Sequence, residues 1–243
     1  MPAELAPRAV GLASHDPSSA AVSDQPKRFV GIDVSADACY VVALNARGAV
    51  IDGSIVANGG DILTAVGDAT RVAIDAPDQP STSQHAADAS LARKFRSARC
   101  AEVALLRTAG FAVPWTTPPI GVEPAAWMRH GFSLWAGMRA AGHAPLEAYP
   151  YAIFRQLGGA MLPPKSRREG REARARLLQV AGVTDPSLAL WGHDGLDAAA
   201  AALLALLAHQ GRARAVRCRH EDGGWDGSGI WLPDPAARIL DTE

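Results

Sequence analysis

The chain has 243 residues, 48% of them hydrophobic, and its 24 Lys and Arg against 25 Asp and Glu give a formal charge of −1. That length and apolar fraction are enough for one sizeable core; they exclude a globally disordered chain and a uniformly basic polynucleotide binder. Three cysteines, Cys39, Cys100 and Cys218, are odd in number and far apart, and they match neither a disulfide framework nor a common zinc spacing, so reduced thiols in a cytoplasmic protein are expected.

Residues 1–27 are rich in Ala, Pro and Ser without periodicity, and are expected to form a flexible leader. The apolar run near Val10–Ala13 stops at His15-Asp16, so no secretory signal is indicated. From residue 28 onward no composition break occurs, which predicts a single α/β domain over 28–243. β-Branched and aliphatic runs at Phe29–Val34, Cys39–Leu44 and Ala49–Val56, separated by short polar turns, predict three antiparallel strands, with Asp52-Gly53 marking a bulge. A helix over Asp61–Asp68 then leads to a fourth strand, Arg71–Asp75, which after a helical crossover is expected to lie parallel to the first.

Pro77–Gln84 reads as a loop, and Ser90–Ala109 as one basic amphipathic helix closed by Gly110. A Trp-rich helix is predicted over Pro124–Ala141, its Trp127, Leu134, Trp135 and Met138 forming a core stripe. Pro145–Tyr149 is a fifth strand, followed by a short helix to Leu157. Ser166 and Glu169 have capping-box spacing before a basic helix that runs to Ala181. Asp194–His209 is the most apolar helix, and Ala213–Cys218 with Ile230–Leu232 reads as a closing hairpin. The expected architecture is thus a mixed central sheet in β-β-β-α-β-α-β order, flanked by helices, with a C-terminal helix and hairpin. The longest apolar run, Ala198–Ala208, is shorter than the roughly 20 residues that span a bilayer, so no membrane association is expected.

The chemistry concentrates in acids placed where apolar strands should carry none: Asp33, Asp75 and Glu147, joined by Asp194 and Asp197 at the start of the apolar helix. An ionised carboxylate among aliphatic side chains is costly unless a cation meets it. Carboxylates converging from separate elements are how proteins hold hard divalent cations such as Mg²⁺. If the first and fourth strands are parallel neighbours, Asp33 and Asp75 come to one end of the sheet. Glu147 is either a third ligand or the partner of an Arg on the basic helix. Asp194 and Asp197 also suit a helix start as N-cap and N3 acids. Fifteen Lys and Arg fall in three clusters, Arg93–Arg107, Lys165–Arg176 and Arg212–Arg219, which can neutralise phosphates locally whatever the total charge.

Gly31-Ile32-Asp33-Val34-Ser35, Ile74-Asp75-Ala76-Pro77 and His193-Asp194-Gly195-Leu196-Asp197-Ala198 resemble the first-strand, fourth-strand and late-helix acids of the RNase H-like superfamily, Holliday-junction resolvases included. Within it, Arg99-Cys100-Ala101-Glu102, Glu147-Ala148-Tyr149-Pro150 and the Gly170–Leu178 segment are similar to a predicted nuclease family labelled domain of unknown function 429. The resemblance covers roughly 28–233. It implies phosphodiester hydrolysis with two Mg²⁺ or Mn²⁺ ions, Asp33 bridging them and Asp75, Glu147 and Asp197 completing the shells, with Asp194 auxiliary. It further implies that Arg96, Arg99, Lys165 and Arg168 hold the phosphates of a nucleic acid. Actin-like sugar kinases share the β-β-β-α-β start but need a second domain and further Gly-rich loops; a binding module without turnover is the remaining alternative. No nucleophile elbow, Walker loop, dinucleotide fingerprint or evident protein-partner motif is found.

Overall fold

In a computed structural model, residues 26–57, 61–159, 161–218 and 229–235 are described. Residues 1–25 of the expected leader and residues 219–228 between the last two strands lie outside these residues. The strands are β1 (Arg28–Val34), β2 (Ala38–Asn45), β3 (Val50–Ala57), β4 (Arg71–Asp75), β5 (Leu146–Ala148), β6 (Ala213–Val216) and β7 (Ile230–Pro233). The helices among the described residues are α1 (Ile62–Val66), α2 (Arg93–Arg96), α3 (Cys100–Ala109), α4 (Ala126–Ala140), α5 (Pro150–Gly158), α6 (Arg168–Val180) and α7 (His193–His209).

Together they make a mixed α/β fold around a seven-stranded sheet in the order β3-β2-β1-β4-β5-β7-β6. β1, β2 and β3 pair antiparallel, as the short turns require, whereas β4 pairs parallel with β1 and β5 parallel with β4. The bulge falls one residue from its expected place: β2 and β3 shift register where Ala43 faces Asp52 and Leu44 faces Val50, leaving Ile51 unpaired.

The basic helix expected over Ser90–Ala109 is broken. Arg99 adopts an extended backbone (φ −66°, ψ 153°), so α2 ends at Arg96 and α3 begins at Cys100. The Glu102 carboxylate accepts the Arg99 N–H at 3.1 Å and caps α3, while the Arg99 side chain turns into the protein. Two helix starts also differ from expectation. α6 begins at Arg168 without a side-chain cap, so Ser166 and Glu169 form no capping box. α7 begins at His193 after Gly192, which makes Asp194 the second helical residue and places Asp197 one turn inside. Cys100 and Cys218 are joined by a disulfide spanning 118 residues, contrary to the expectation of three reduced thiols. That proximity arises because the start of α3 packs beside the end of β6, a contact invisible in cysteine spacing. Cys39 is free and buried. Among the described residues no helix is long and apolar enough to cross a membrane.

α7 lies across β1, β2 and β4 and is buried from Leu196 to Leu207. Its run of alanines permits unusually close approach to the sheet: a Cβ built on Gly31 of β1 would lie 2.1 Å from the Ala198 carbonyl oxygen and 2.1 Å from the Ala202 nitrogen. The obstacle is backbone, which no side-chain rotation relieves. Gly31→Ala is therefore expected to destabilise the fold by more than the ~1–3 kcal/mol typical of overpacking, and to displace Asp197 from Asp33. Thermal denaturation checks the first effect; a melting temperature within 2 °C of wild type, about what 1 kcal/mol produces in a chain of this size, would contradict it.

Candidate metal centre

Register builds the site. Asp33 and Asp75 are direct partners at the C-terminal ends of the parallel strands β1 and β4, so their side chains share one face of the sheet. It is the face of Gly31 and Ala73, against which α7 packs, and α7 brings Asp197 to the same point. Asp33 is 6% exposed and Asp197 3%. Lys165 enters this group, its Nζ 2.5 Å from Asp197 Oδ2. Its loop is seated tightly, because a Cβ on Gly170 of α6 would meet the Pro164 carbonyl oxygen at 2.0 Å, and Arg174 donates to the Pro163 carbonyl at 3.0 Å.

The electrostatics follow from crowding. Burial and the Asp197 charge push the Asp33 carboxyl up to about 7, against the opposing pull of Lys165. Burial, then Asp33 and Asp197, raises Asp75 well above the carboxylate range. The two side chains hydrogen-bond, a contact that raises Asp75 and lowers Asp33. Burial also raises Asp197, with Lys165 opposing. Two buried carboxylates and the half-buried Asp75 thus face one ammonium, and retained protons supply part of the missing positive charge. All the donors are hard oxygens drawn from three elements, a set that suits Mg²⁺ or Mn²⁺.

Glu147 lies elsewhere. Its register partner is Ile74, not Asp75, so the pleat turns it to the opposite face of the sheet, where Arg99 meets it. Arg99 donates from Nη1 to Glu147 Oε2 at 2.8 Å and from Nη2 to Oε1, a two-pronged pair that occupies both carboxylate oxygens. The same guanidinium donates to Asp78 Oδ1 at 2.9 Å and to Thr117 Oγ1 at 3.2 Å. Arg139 holds the other Asp78 oxygen at 3.0 Å, and the Thr117 N–H donates to Glu102 at 3.0 Å. Burial works against the charge on Arg99, but Glu147, Glu102 and Asp78 outweigh it and hold the guanidinium above its ordinary range. Burial likewise pushes Glu147 up to about 7, with Arg99 opposing. Of the two roles open to Glu147 in the sequence, its contacts are those of an Arg partner.

Both groups border one cavity of about 350 Å³, lined by Asp33, Asp75, Glu147, Arg99, Lys165 and Asp194. Trp115, Trp127 and Tyr149 line it as well, among aliphatic residues such as Val113, Pro114 and Met128. Trp115 is 72% exposed at the rim. Asp194 is half-buried beside the His193 ring. The structure therefore brings together Asp33, Asp75, Asp197 and Lys165, places Asp194 at the border, and gives Glu147 and Arg99 to a neighbouring ion network.

Arg96 and Arg168 are not brought to this cavity. Arg96 donates to the carbonyls of Leu91 and Ala89, and Arg168 pairs with Glu172 on the exposed side of α6. Nothing in the sequence marks Asp78, Thr117 or Trp115 as site residues. Asp78 is the nearest to legible, lying three residues beyond Asp75 in the same loop, but only its contact with Arg99 gives it meaning.

The family described as Protein of unknown function (DUF429) matches residues 31–221. No curated protein and no solved structure matches the chain.

Proposed function

We propose that this chain, which belongs to the DUF429 family of proteins of unknown function, has an RNase H-like fold and is a divalent-metal-dependent nuclease. The observation that carries the proposal is the convergence of Asp33, Asp75 and Asp197 from two parallel strands and a helix on one buried point with a single lysine. The antiparallel β1-β2-β3 unit followed by parallel β4 and β5 supports the fold assignment.

Asp33, Asp75 and Asp197 would hold two Mg²⁺ or Mn²⁺ ions, with Asp194 at the border. When bound, such ions activate water and stabilise the leaving oxygen of a phosphodiester. The protein's own residues set the conditions around them. The Asp33–Asp75 pair would have to give up its shared proton to hold such ions. Lys165, tied to Asp197 and lining the cavity, would meet a phosphate oxygen there. Trp115, Trp127 and Tyr149 offer apolar faces on which a base can stack, and the cavity has the size of a small-ligand site, suiting one nucleotide unit more than an intact duplex. Arg99 and Glu147 hold the wall rather than the substrate.

The test is incubation of the purified protein with labelled single-stranded, duplex, hybrid and branched nucleic acids in Mn²⁺ and in EDTA. Mn²⁺-dependent cleavage of any one of them is expected. Metal binding without cleavage of any would contradict the nuclease reading and favour another phosphoester.

A pH dependence follows. The folded protein holds a proton on Asp33 that the unfolded chain releases near pH 4, so from about 4 to 7 the native state binds more protons and stability falls as pH rises. Glu147 adds to the same slope. In EDTA the melting temperature should therefore decline between pH 4.5 and about 7, and Mn²⁺ should restore it most at and above pH 7, where Asp33 no longer holds a proton against the metal. A melting temperature that climbs across this range in EDTA would contradict the protonated cluster.

A further inference from the structure

We propose that His85, Cys100 and Cys218, once the two sulfurs are reduced, form a Zn²⁺ site separate from the carboxylate cluster and independent of the nuclease reading. The three side chains come from segments distant in sequence: the loop after β4, the first residue of α3, and the segment just beyond β6. One ligand atom from each lies within 4.8 Å of the others. His85 Nε2 is 3.8 Å from Cys218 Sγ, and tetrahedral zinc with Zn–S near 2.3 Å and Zn–N near 2.0 Å separates its N and S ligands by about 3.6 Å. The Cα atoms of Cys100 and Cys218 are 5.5 Å apart, so the two sulfurs reach a common ion by side-chain rotation. Cys100 is buried, while His85 and Cys218 are half-buried, leaving the fourth position open to water.

The donor set decides the metal. One imidazole and two thiolates are borderline to soft ligands, which select zinc over Mg²⁺ or Mn²⁺, whereas the oxygen donors of Asp33, Asp75 and Asp197 select the reverse. Two clusters of opposite softness can be loaded independently in one protein.

The disulfide and the zinc site are alternative closures of one junction. A dithiol reductant delivers two electrons and two protons to the Cys100–Cys218 bond, yielding two thiols and the oxidised dithiol. Zinc then displaces both thiol protons and takes His85 as a third ligand. Either closure ties the end of β6 to the start of α3, directly behind Arg99 and its grip on Glu147, and zinc would add the loop of His85.

The experiment uses the full chain, reduced and stripped of metal, titrated with Co²⁺ as an optical probe and then with Zn²⁺. The expected result is one equivalent of Co²⁺ showing tetrahedral visible bands and a near-ultraviolet thiolate band, displaced by Zn²⁺. Diamide oxidation should abolish these signals, Asp33→Asn should leave them unchanged, and His85→Ala, which keeps both thiols, should weaken binding at least ~10-fold. Cys218→Ser should remove the thiolate band's full intensity; circular dichroism confirms that each variant is folded, and His85→Ala decides if Cys218→Ser is not. Absence of a thiolate band in the reduced wild type, equal binding by the oxidised protein, or unchanged affinity in His85→Ala would overturn the site.

Discussion

Asp33→Asn is expected to abolish Mn²⁺-dependent cleavage, by at least ~10²-fold, while leaving the fold intact. The substitution is nearly isosteric and removes only the capacity for charge at a residue 6% exposed, hydrogen-bonded to Asp75 and crowded by Asp197. Because burial and Asp197 already hold its carboxyl near 7, an amide relieves repulsion in the metal-free state, so the melting temperature in EDTA at pH 8 should equal or exceed that of the wild type. The combination is diagnostic. Lost activity with lost stability would mean that Asp33 serves packing, whereas retained cleavage would remove Asp33 from the catalytic group.

Arg99→Met should be strongly destabilising. Arg99 is 4% exposed and meets Glu147, Asp78 and Thr117 at once, and Glu102 caps its backbone. Removing it leaves Glu147 and Asp78 without their shared buried cation, and breaking a buried ion pair from one side costs about 3–5 kcal/mol. For a chain of this size that lowers the melting temperature on the order of 10 °C. Glu147→Gln keeps a hydrogen-bonding group opposite Arg99 and should cost less, and it should bind Mn²⁺ as the wild type does. A melting temperature for Arg99→Met within 2 °C of wild type would show the network to be dispensable. Loss of Mn²⁺ binding in Glu147→Gln would return Glu147 to the ligand set.

The strand pattern was legible because β-branched runs and short turns carry it locally: all seven strands stand within a few residues of their expected bounds. Asp33 and Asp75 were legible as a pair for the same reason, since a helical crossover makes β4 parallel to β1 and the register then aligns the two acids. Glu147 shows where local reading fails. An acid in a short apolar strand looks the same whether it meets a metal or an arginine, and the register with Ile74 decides. The helix break at Ser97–Arg99 was hidden because the sequence there is helix-compatible; the pull of buried acids on one guanidinium, a tertiary effect, outweighs propensity. Basic clustering misled about Arg96 and Arg168, whose local partners are backbone carbonyls and Glu172. The Cys100–Cys218 junction depends on packing between elements 118 residues apart and leaves no trace in spacing.

The convergence of Asp33, Asp75 and Asp197 is tested most directly by isothermal titration of Mn²⁺ into wild type, Asp33→Asn and Glu147→Gln at pH 8. Binding in the wild type and in Glu147→Gln, lost in Asp33→Asn, is the predicted result. No binding to the wild type, or undiminished binding to Asp33→Asn, would show that these carboxylates are not a metal centre.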